Sequence, residues 1–447
     1  MRFIDFPEMN FTIQGLDMVE IPPMYKMTQI YDANKIDDPA AYIKNMMNEY
    51  NGIDKESLKG KKLAITVGSR GIPFLPEMVR AIIDTLKEWG ADPFIVPAMG
   101  SHGGATAEGQ LEVLKSLGIT EESMGVKIPS SMEVVEVGKL KNGASVFVDK
   151  IATEADGIIL FNKVKPHTEF RGPHESGLFK MVAIGLGNHI GASMFHAQGY
   201  ENIPTFLPEL GQVFLDNCKF VFGIGVLQNA YDDICTIKMC DRSNIFETDA
   251  AMLEEAKAKI PVLKFKNIDL LIIDEIGKNM SGSGMDPNVV GRNMARTFVD
   301  ETGIRHIMVR GVTEESHHSG VGIGLADITT RRCLNSIDWD ATWTNVVTAQ
   351  VLRGGGKIPL YRNNDKDAIY TAIKCSGGID MKIRLRQHIL KFRLRFMKNL
   401  NHILKLNMYQ VLTNLNLTKK DLLQINPLKS PVLNRAFIMY LPTSTFS

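Results

Sequence analysis

The chain has 447 residues, of which 44% are hydrophobic and 23% charged. This composition excludes disorder over most of its length, and excludes collagen-like and coiled-coil classes. The formal net charge of +1 hides a split: twelve Lys and Arg but only two acids, Asp380 and Asp421, fall in residues 380–447, so the body is net acidic and the tail strongly basic.

The five cysteines, Cys218, Cys235, Cys240, Cys333 and Cys375, lack paired spacing. That argues against a disulfide framework or a zinc knuckle and fits a reducing compartment. The start, Met1-Arg2-Phe3-Ile4-Asp5-Phe6-Pro7-Glu8, has no signal-peptide core, and no run of 18 apolar residues occurs. The expectation is a cytoplasmic protein with neither membrane nor nucleic acid as partner.

An irregular lead-in holds one helical stretch near Pro39–Tyr50. Lys62–Val67 is an apolar, β-branched run that predicts a buried strand, and Leu75–Trp89 has helical periodicity stopped by Gly90. A strand at Pro93–Pro97 and a helix at Thr106–Leu117 follow, ended by Gly118. Val134–Val137 and Ser145–Val148 read as a hairpin around Asn142-Gly143. Gly157–Phe161 is another buried strand. The pattern then restarts with a strand at Phe220–Val226, an exposed helix at Glu247–Lys257, and strands at Ile268–Asp274 and Ile307–Val309.

Strands alternating with helices predict an α/β fold, with two α/β domains, mostly parallel sheets and an interdomain cleft. The expected division is an N-terminal domain over 1–265, a C-terminal domain over 266–379 and a basic tail over 380–447. The tail reads either as a basic amphipathic helix or as a segment foreign to the body; the abrupt change of texture after Ser376-Gly377-Gly378-Ile379 favours the second.

Chemistry concentrates in the first domain. Five of the ten histidines lie between His102 and His196, in a glycine-rich window. Imidazole is the side chain suited to proton transfer near neutral pH and to borderline metals. Gly68-Ser69-Arg70-Gly71 follows a strand and precedes a helix, a ready anion site in which Arg70 supplies a fork for phosphate or carboxylate. Met99-Gly100-Ser101-His102-Gly103-Gly104-Ala105-Thr106 repeats that position after the next strand. Neither turn has the GxGxxG fingerprint and no P-loop occurs, which excludes nicotinamide-fold and ATPase readings.

A third segment, Lys163-Val164-Lys165-Pro166-His167-Thr168-Glu169-Phe170-Arg171-Gly172-Pro173-His174-Glu175-Ser176-Gly177-Leu178-Phe179-Lys180-Met181, is the richest. Lys180 sits in an apolar context, either snorkelling from a helix or held for covalent chemistry, and His196 follows 16 positions later. Ser281–Arg292 is a further glycine-rich loop, expected to be flexible, and His317-His318 reads as a loop pair rather than a metal site.

These three motifs together resemble the nickel-dependent lactate racemase family, and more nearly its broad branch of lactate-racemase-like homologues, over about residues 10–379. The resemblance implies a racemase or epimerase of a 2-hydroxy acid, a small-molecule substrate, and a nickel-pincer nucleotide supplied by cofactor-maturation enzymes. It also implies Lys180 as covalent tether, His196 as metal ligand, and His102 and His167 as opposed proton acceptors and donors. Ser69 and Arg70 would anchor the cofactor, and Arg70 or Lys165 would orient the substrate carboxylate. His174 competes with His167 for the second base role. Two alternatives remain: a non-catalytic nucleotide- or phosphate-binding protein, and a metal-assisted hydrolase using His102, His174 and Glu175.

Overall fold

The structure is a computed structural model that describes residues 1–16, 19, 25–27, 29–69, 71–265, 267–298, 302–376, 389–393 and 407–410. Its strands, in chain order, begin with β1 (Tyr25–Met27), β2 (Lys62–Val67), β3 (Asp92–Pro97), β4 (Val134–Lys139) and β5 (Ser145–Asp149). They continue with β6 (Gly157–Lys163), β7 (Phe220–Gln228), β8 (Ile234–Cys240), β9 (Ile268–Ile273) and β10 (Ile304–Val309). The last are β11 (Ile328–Thr330), β12 (Leu360–Arg362), β13 (Ile389–Arg393) and β14 (Asn407–Gln410). The fold is α/β with mostly parallel sheets.

The chain divides into two compact units, Asp32–Pro261 and a second that joins Met1–Tyr31 to the residues from Val262 onward. The lead-in, counted in the sequence with residues 1–265, thus groups with the later unit. Its backbone is held there by Asn335 and Asp338, through hydrogen bonds from Phe6 N–H (3.0 Å) and Arg2 N–H (3.1 Å). Of the expected basic tail, only the backbone of β13 and β14 lies within the described residues.

In Asp32–Pro261 the sheet order is β3-β2-β6-β7-β8, parallel except for β8, which runs antiparallel to β7. Alternation along β2 explains why it reads as a continuous apolar run. Leu63, Ile65 and Val67 enter one core with Ile43, Met47, Met78 and Ile82. Ala64 enters the other with Ile158, Leu160, Phe214 and Val182. A strand buried on both faces has no polar face to show.

The helix Leu75–Glu88 buries Leu75, Met78, Val79, Ile82, Ile83 and Leu86, the i, i+3, i+4, i+7 stripe of an amphipathic helix. Each such side chain contributes about 1.5–3 kcal/mol on full burial. Gly90, at φ +81°, ends the helix where a left-handed residue is needed. The expected hairpin is present as antiparallel β4–β5.

Several elements were not legible, two of them in this unit. Ile203–Asn217 is one helix despite Pro208 inside it, and β8 sits at the sheet edge. The helix expected to be exposed at Glu247–Lys257 runs Ile245–Lys259 and buries Ile245, Asp249, Met252, Leu253 and Ala256.

In the other unit β9, β10, β11 and β12 are successive parallel neighbours. β13 lies parallel to β9 on its other side, followed by antiparallel β14 and β1. One face packs on the helix Asp365–Cys375 through Leu270, Ile272, Met308, Ile328, Ala368 and Ala372. The loop Ser281–Arg292, expected to be flexible, is instead packed. Ser283 and Met285 are buried, and a Cβ on Gly284 would lie 1.9 Å from the Val321 carbonyl oxygen.

Gly103, beside His102, has φ +69°, and a Cβ there would come within 2.3 Å of the Gly109 backbone. Gly103→Ala is therefore expected to cost about 2–4 kcal/mol, from left-handed strain plus overpacking. Urea unfolding of the variant against the parent measures it, and an unchanged midpoint contradicts the packing described.

Candidate functional site

In the order β3-β2-β6-β7-β8 the connections depart in opposite directions from β2, so the crevice at the carboxyl ends of β2 and β6 is where a parallel sheet binds ligands. The turn after β2 supplies Ser69, the turn after β3 supplies His102, and the long segment after β6 supplies Lys165, His167 and Lys180. Ser69 Oγ is hydrogen-bonded to His102 Nδ1, joining the first two motifs. Arg70 lies outside the described residues.

The segment after β6 is fixed by its own buried acid. The Glu175 side chain is fully buried. Its Oε2 accepts from the His167 N–H at 2.7 Å and its Oε1 from the Gly172 N–H at 3.2 Å. Lys257 Nζ reaches Oε1 at 3.1 Å, and Arg171 Nη1 stands 3.8 Å from Oε2. Paired backbone hydrogen bonds between Lys165 and Ser176 close the loop at its base. His167 stacks on Phe170 with centroids 4.2 Å apart.

His167 Nδ1 accepts from the Glu169 N–H at 3.0 Å, so the neutral ring carries its proton on Nε2. Some of its surface remains accessible, yet the surrounding protein desolvates it. Desolvation, then the charges of Lys180 and Lys165, hold its pKa well below the ordinary 6.5.

Lys180 ends the short helix Leu178–Lys180, which continues as a π helix over Met181–Leu186 and then an α helix over Asn188–Ala197. A π segment inside a helix is a frequent feature of functional sites. A straight helix would hold positions 180 and 196 about 24 Å apart. Asn188, at φ +49°, breaks the line and redirects the chain, and the Lys180 charge is felt at His196. Burial first and that charge second hold His196 at a pKa of about 4. Its Nδ1 is buried without a hydrogen-bond partner among the described residues, an imidazole nitrogen left available to a ligand. Lys180 Nζ is 3.5 Å from Ser176 Oγ.

A buried polar chain couples the loops. Gln110 Nε2 donates to the Gly100 carbonyl at 3.0 Å and to Asn188 Oδ1 at 3.5 Å. Asn188 Nδ2 donates to Asp149 Oδ2 at 2.8 Å. The turn bearing His102 is thus tied to the corner that redirects the helix bearing His196. Gln110, Asn188, Glu175 and Asp249 were not assigned positioning roles from the sequence.

His174 points elsewhere. It is buried, its Nδ1 lies 2.9 Å from Asp249 Oδ2, and the ring is edge-on to Phe179 and Phe246. Asp249 Oδ1 also accepts from the Leu178 N–H at 2.8 Å. A hydrolase centre of His102, His174 and Glu175 would need two side chains that are engaged in holding the loop. Among the described residues no group of three or more His, Cys, Asp or Glu could hold a metal ion. His318 lies edge-on to Phe3. All five cysteines are free thiols. Among the described residues no helix is long and apolar enough to cross a membrane.

Residues 17–199 match the family model of the lactate racemase N-terminal domain, over the same motifs that bear the resemblance. No curated protein matches the chain. Among solved structures the chain is similar to a Thermotoga maritima protein at 12% identity and TM-score 0.48, covering 75% of this chain and 91% of that one. It is also similar to the lactate racemase apoprotein from Thermoanaerobacterium thermosaccharolyticum at 13% identity and TM-score 0.44, covering 78% and 90%.

Both site imidazoles are neutral in the folded, cofactor-free protein where the unfolded chain would already protonate them. Between pH 6.5 and 4 the unfolded state binds more protons, so stability falls as pH drops through that window. His196 alone accounts for up to about 3 kcal/mol by pH 4. Urea midpoints measured from pH 7.5 to 4 are expected to fall, and His196→Gln to flatten the slope by its share. An unaltered slope in the variant contradicts the environment described for this ring.

Proposed function

We propose that the chain is a racemase or epimerase of a 2-hydroxy acid that works with a nickel-pincer nucleotide tethered to Lys180. The observation that carries this reading is the unpartnered His196 Nδ1, buried beside the Lys180 charge. The lactate racemase N-terminal domain over residues 17–199 supports a racemase-like role.

The donor set fits the group. A neutral imidazole with an unpartnered nitrogen could serve as the one protein ligand of a metal whose other donors come with the cofactor, and soft sulfur and carbon donors with one imidazole suit nickel. When bound, the group supplies a hydride acceptor, needed because the C–H of a 2-hydroxy acid is too weak an acid for a side-chain base.

The protein handles the protons and the charge. His102, oriented by Ser69 at Nδ1, accepts the hydroxyl proton at Nε2 and later returns it. His167, held as the Nε2–H tautomer by the Glu169 N–H, donates a hydrogen bond to the substrate oxygen. To accept a proton at Nε2 it must give up that tautomer, so the two imidazoles enter turnover in different states. Lys165, Lys180 and Arg171 all act on His167, a concentration of positive charge suited to a carboxylate and a nucleotide phosphate. Depressed pKa values keep His167 and His196 from adding further positive charge at neutral pH.

The test is expression beside cofactor-maturation enzymes, followed by intact mass, nickel content and incubation with single enantiomers of a hydroxy-acid panel. Inversion of at least one substrate is expected, with an adduct that Lys180→Ala abolishes. His102→Ala is expected to keep the adduct and lose about 10²-fold or more in rate. An adduct persisting in Lys180→Ala, or no inversion across the panel by loaded protein, refutes the assignment.

A further inference from the structure

The unit that joins Met1–Tyr31 to the residues from Val262 onward contains a buried cation with no anion against it among the described residues. Arg362, the last residue of β12, is 7% exposed, and its Nε and Nη1 are buried without a hydrogen-bond partner. Because Nε and Nη1 belong to different edges of the guanidinium, neither of its two forks is filled. A cation held out of water needs a counter-charge or a full set of acceptors.

The lead-in covers it. The Phe11 ring lies 4.4 Å from Cζ, a cation–π cap over one face. Asn363 Oδ1 accepts from the Met9 N–H at 2.8 Å, Asn363 Nδ2 donates to the Met9 carbonyl at 3.1 Å, and Tyr361 Oη donates to the Pro7 carbonyl at 3.0 Å. This strap shields Arg362 while giving it no oxygen.

Neighbouring acids are already engaged. Arg310 takes Asp274 and Asp365, and Arg332 takes Asp365 at 3.1 Å. Arg331 takes Asp5 at 2.9 Å and faces Glu8 at 3.9 Å. Arg310, Arg331 and Arg332 follow the ends of β10 and β11, and Thr330 is the ladder partner of Arg362. Arg362 therefore stands at the carboxyl edge of a parallel sheet, the end at which such sheets take ligands.

We propose that Arg362 binds a small oxyanion, a phosphate or carboxylate group, beneath the Pro7–Phe11 strap. The site is separate from the imidazole cluster and does not depend on the racemase reading. Thermal unfolding at constant ionic strength tests it, with sodium chloride exchanged for sodium phosphate or sodium malonate, on wild type, Arg362→Met and Arg362→Lys.

Wild type is expected to gain about 3 °C or more in one of the two anions, and the anion giving the larger gain distinguishes phosphate from carboxylate. Arg362→Met is expected to lose the gain. Arg362→Lys, which keeps the charge without the fork, is expected to bind about tenfold more weakly and carries the comparison if the Met variant does not fold. Ser69→Ala separates any anion bound at the glycine turns, and the Arg362-dependent gain is expected to survive in it. Equal gains in wild type and Arg362→Met overturn the proposal, as does a Lys variant with wild-type affinity. A wild type indifferent to both anions also overturns it, since the guanidinium would then be satisfied from within the chain.

Discussion

The carboxylate of Glu175 sits wholly out of solvent, and the backbone of its own loop is what holds it there. It takes two N–H groups, from His167 and Gly172, and Lys257 and Arg171 balance its charge. A buried acid so placed cannot shift without stranding either its charge or the donors. The position of His167 follows from it, and so does the return of the chain through Ser176 to Lys180. Asp249 acts in the same way further along the loop, by holding both His174 and the Leu178 N–H. Two acids thus set the path of the motif while staying out of its chemistry.

Within that frame the electrostatics run one way. Lys165, Arg171 and Lys180 all bear on His167, and Lys180 bears on His196 as well. A cluster of like charges opposes its own assembly unless the fold compels it or an anionic ligand relieves it. Desolvation keeps the imidazoles neutral first and this crowding second, and the same positive field favours an anionic ligand. Ligand capture and proton inventory are consequently linked, because an anion entering the crevice draws both rings back toward protonation.

Much of the fold was legible because it depends on patterns shorter than ten residues. β2, β6 and β9 read as apolar runs since both their faces are covered, and Leu75–Glu88 read from its stripe. Ile203–Asn217 did not, because Pro208 signals a break that packing overrides. The exposed look of Ile245–Lys259 came from its lysines and glutamates, while a narrow face of Ile245, Met252 and Leu253 does the packing. In the site, residue types pointed to Ser69, His102, His167, Lys180 and His196. The path between positions 180 and 196 runs through a π segment and a left-handed Asn188, and Asn188 is held by the tertiary contacts of Gln110 and Asp149. The acid at position 175 had the residue type of a catalyst, and only its neighbours reveal that it holds backbone.

The lead-in has a consequence for synthesis. Phe6 packs on Trp339 and Tyr361, and its N–H bonds to a side chain 329 positions further along. At roughly 10 residues per second, this segment waits about half a minute after its own synthesis for the partners that will enclose it. The intervening Asp32–Pro261 unit has all it needs to collapse in that interval. Phe3, Phe6 and Phe11 meanwhile remain in water without the surface that will cover them, an apolar stretch on which a chaperone could take hold.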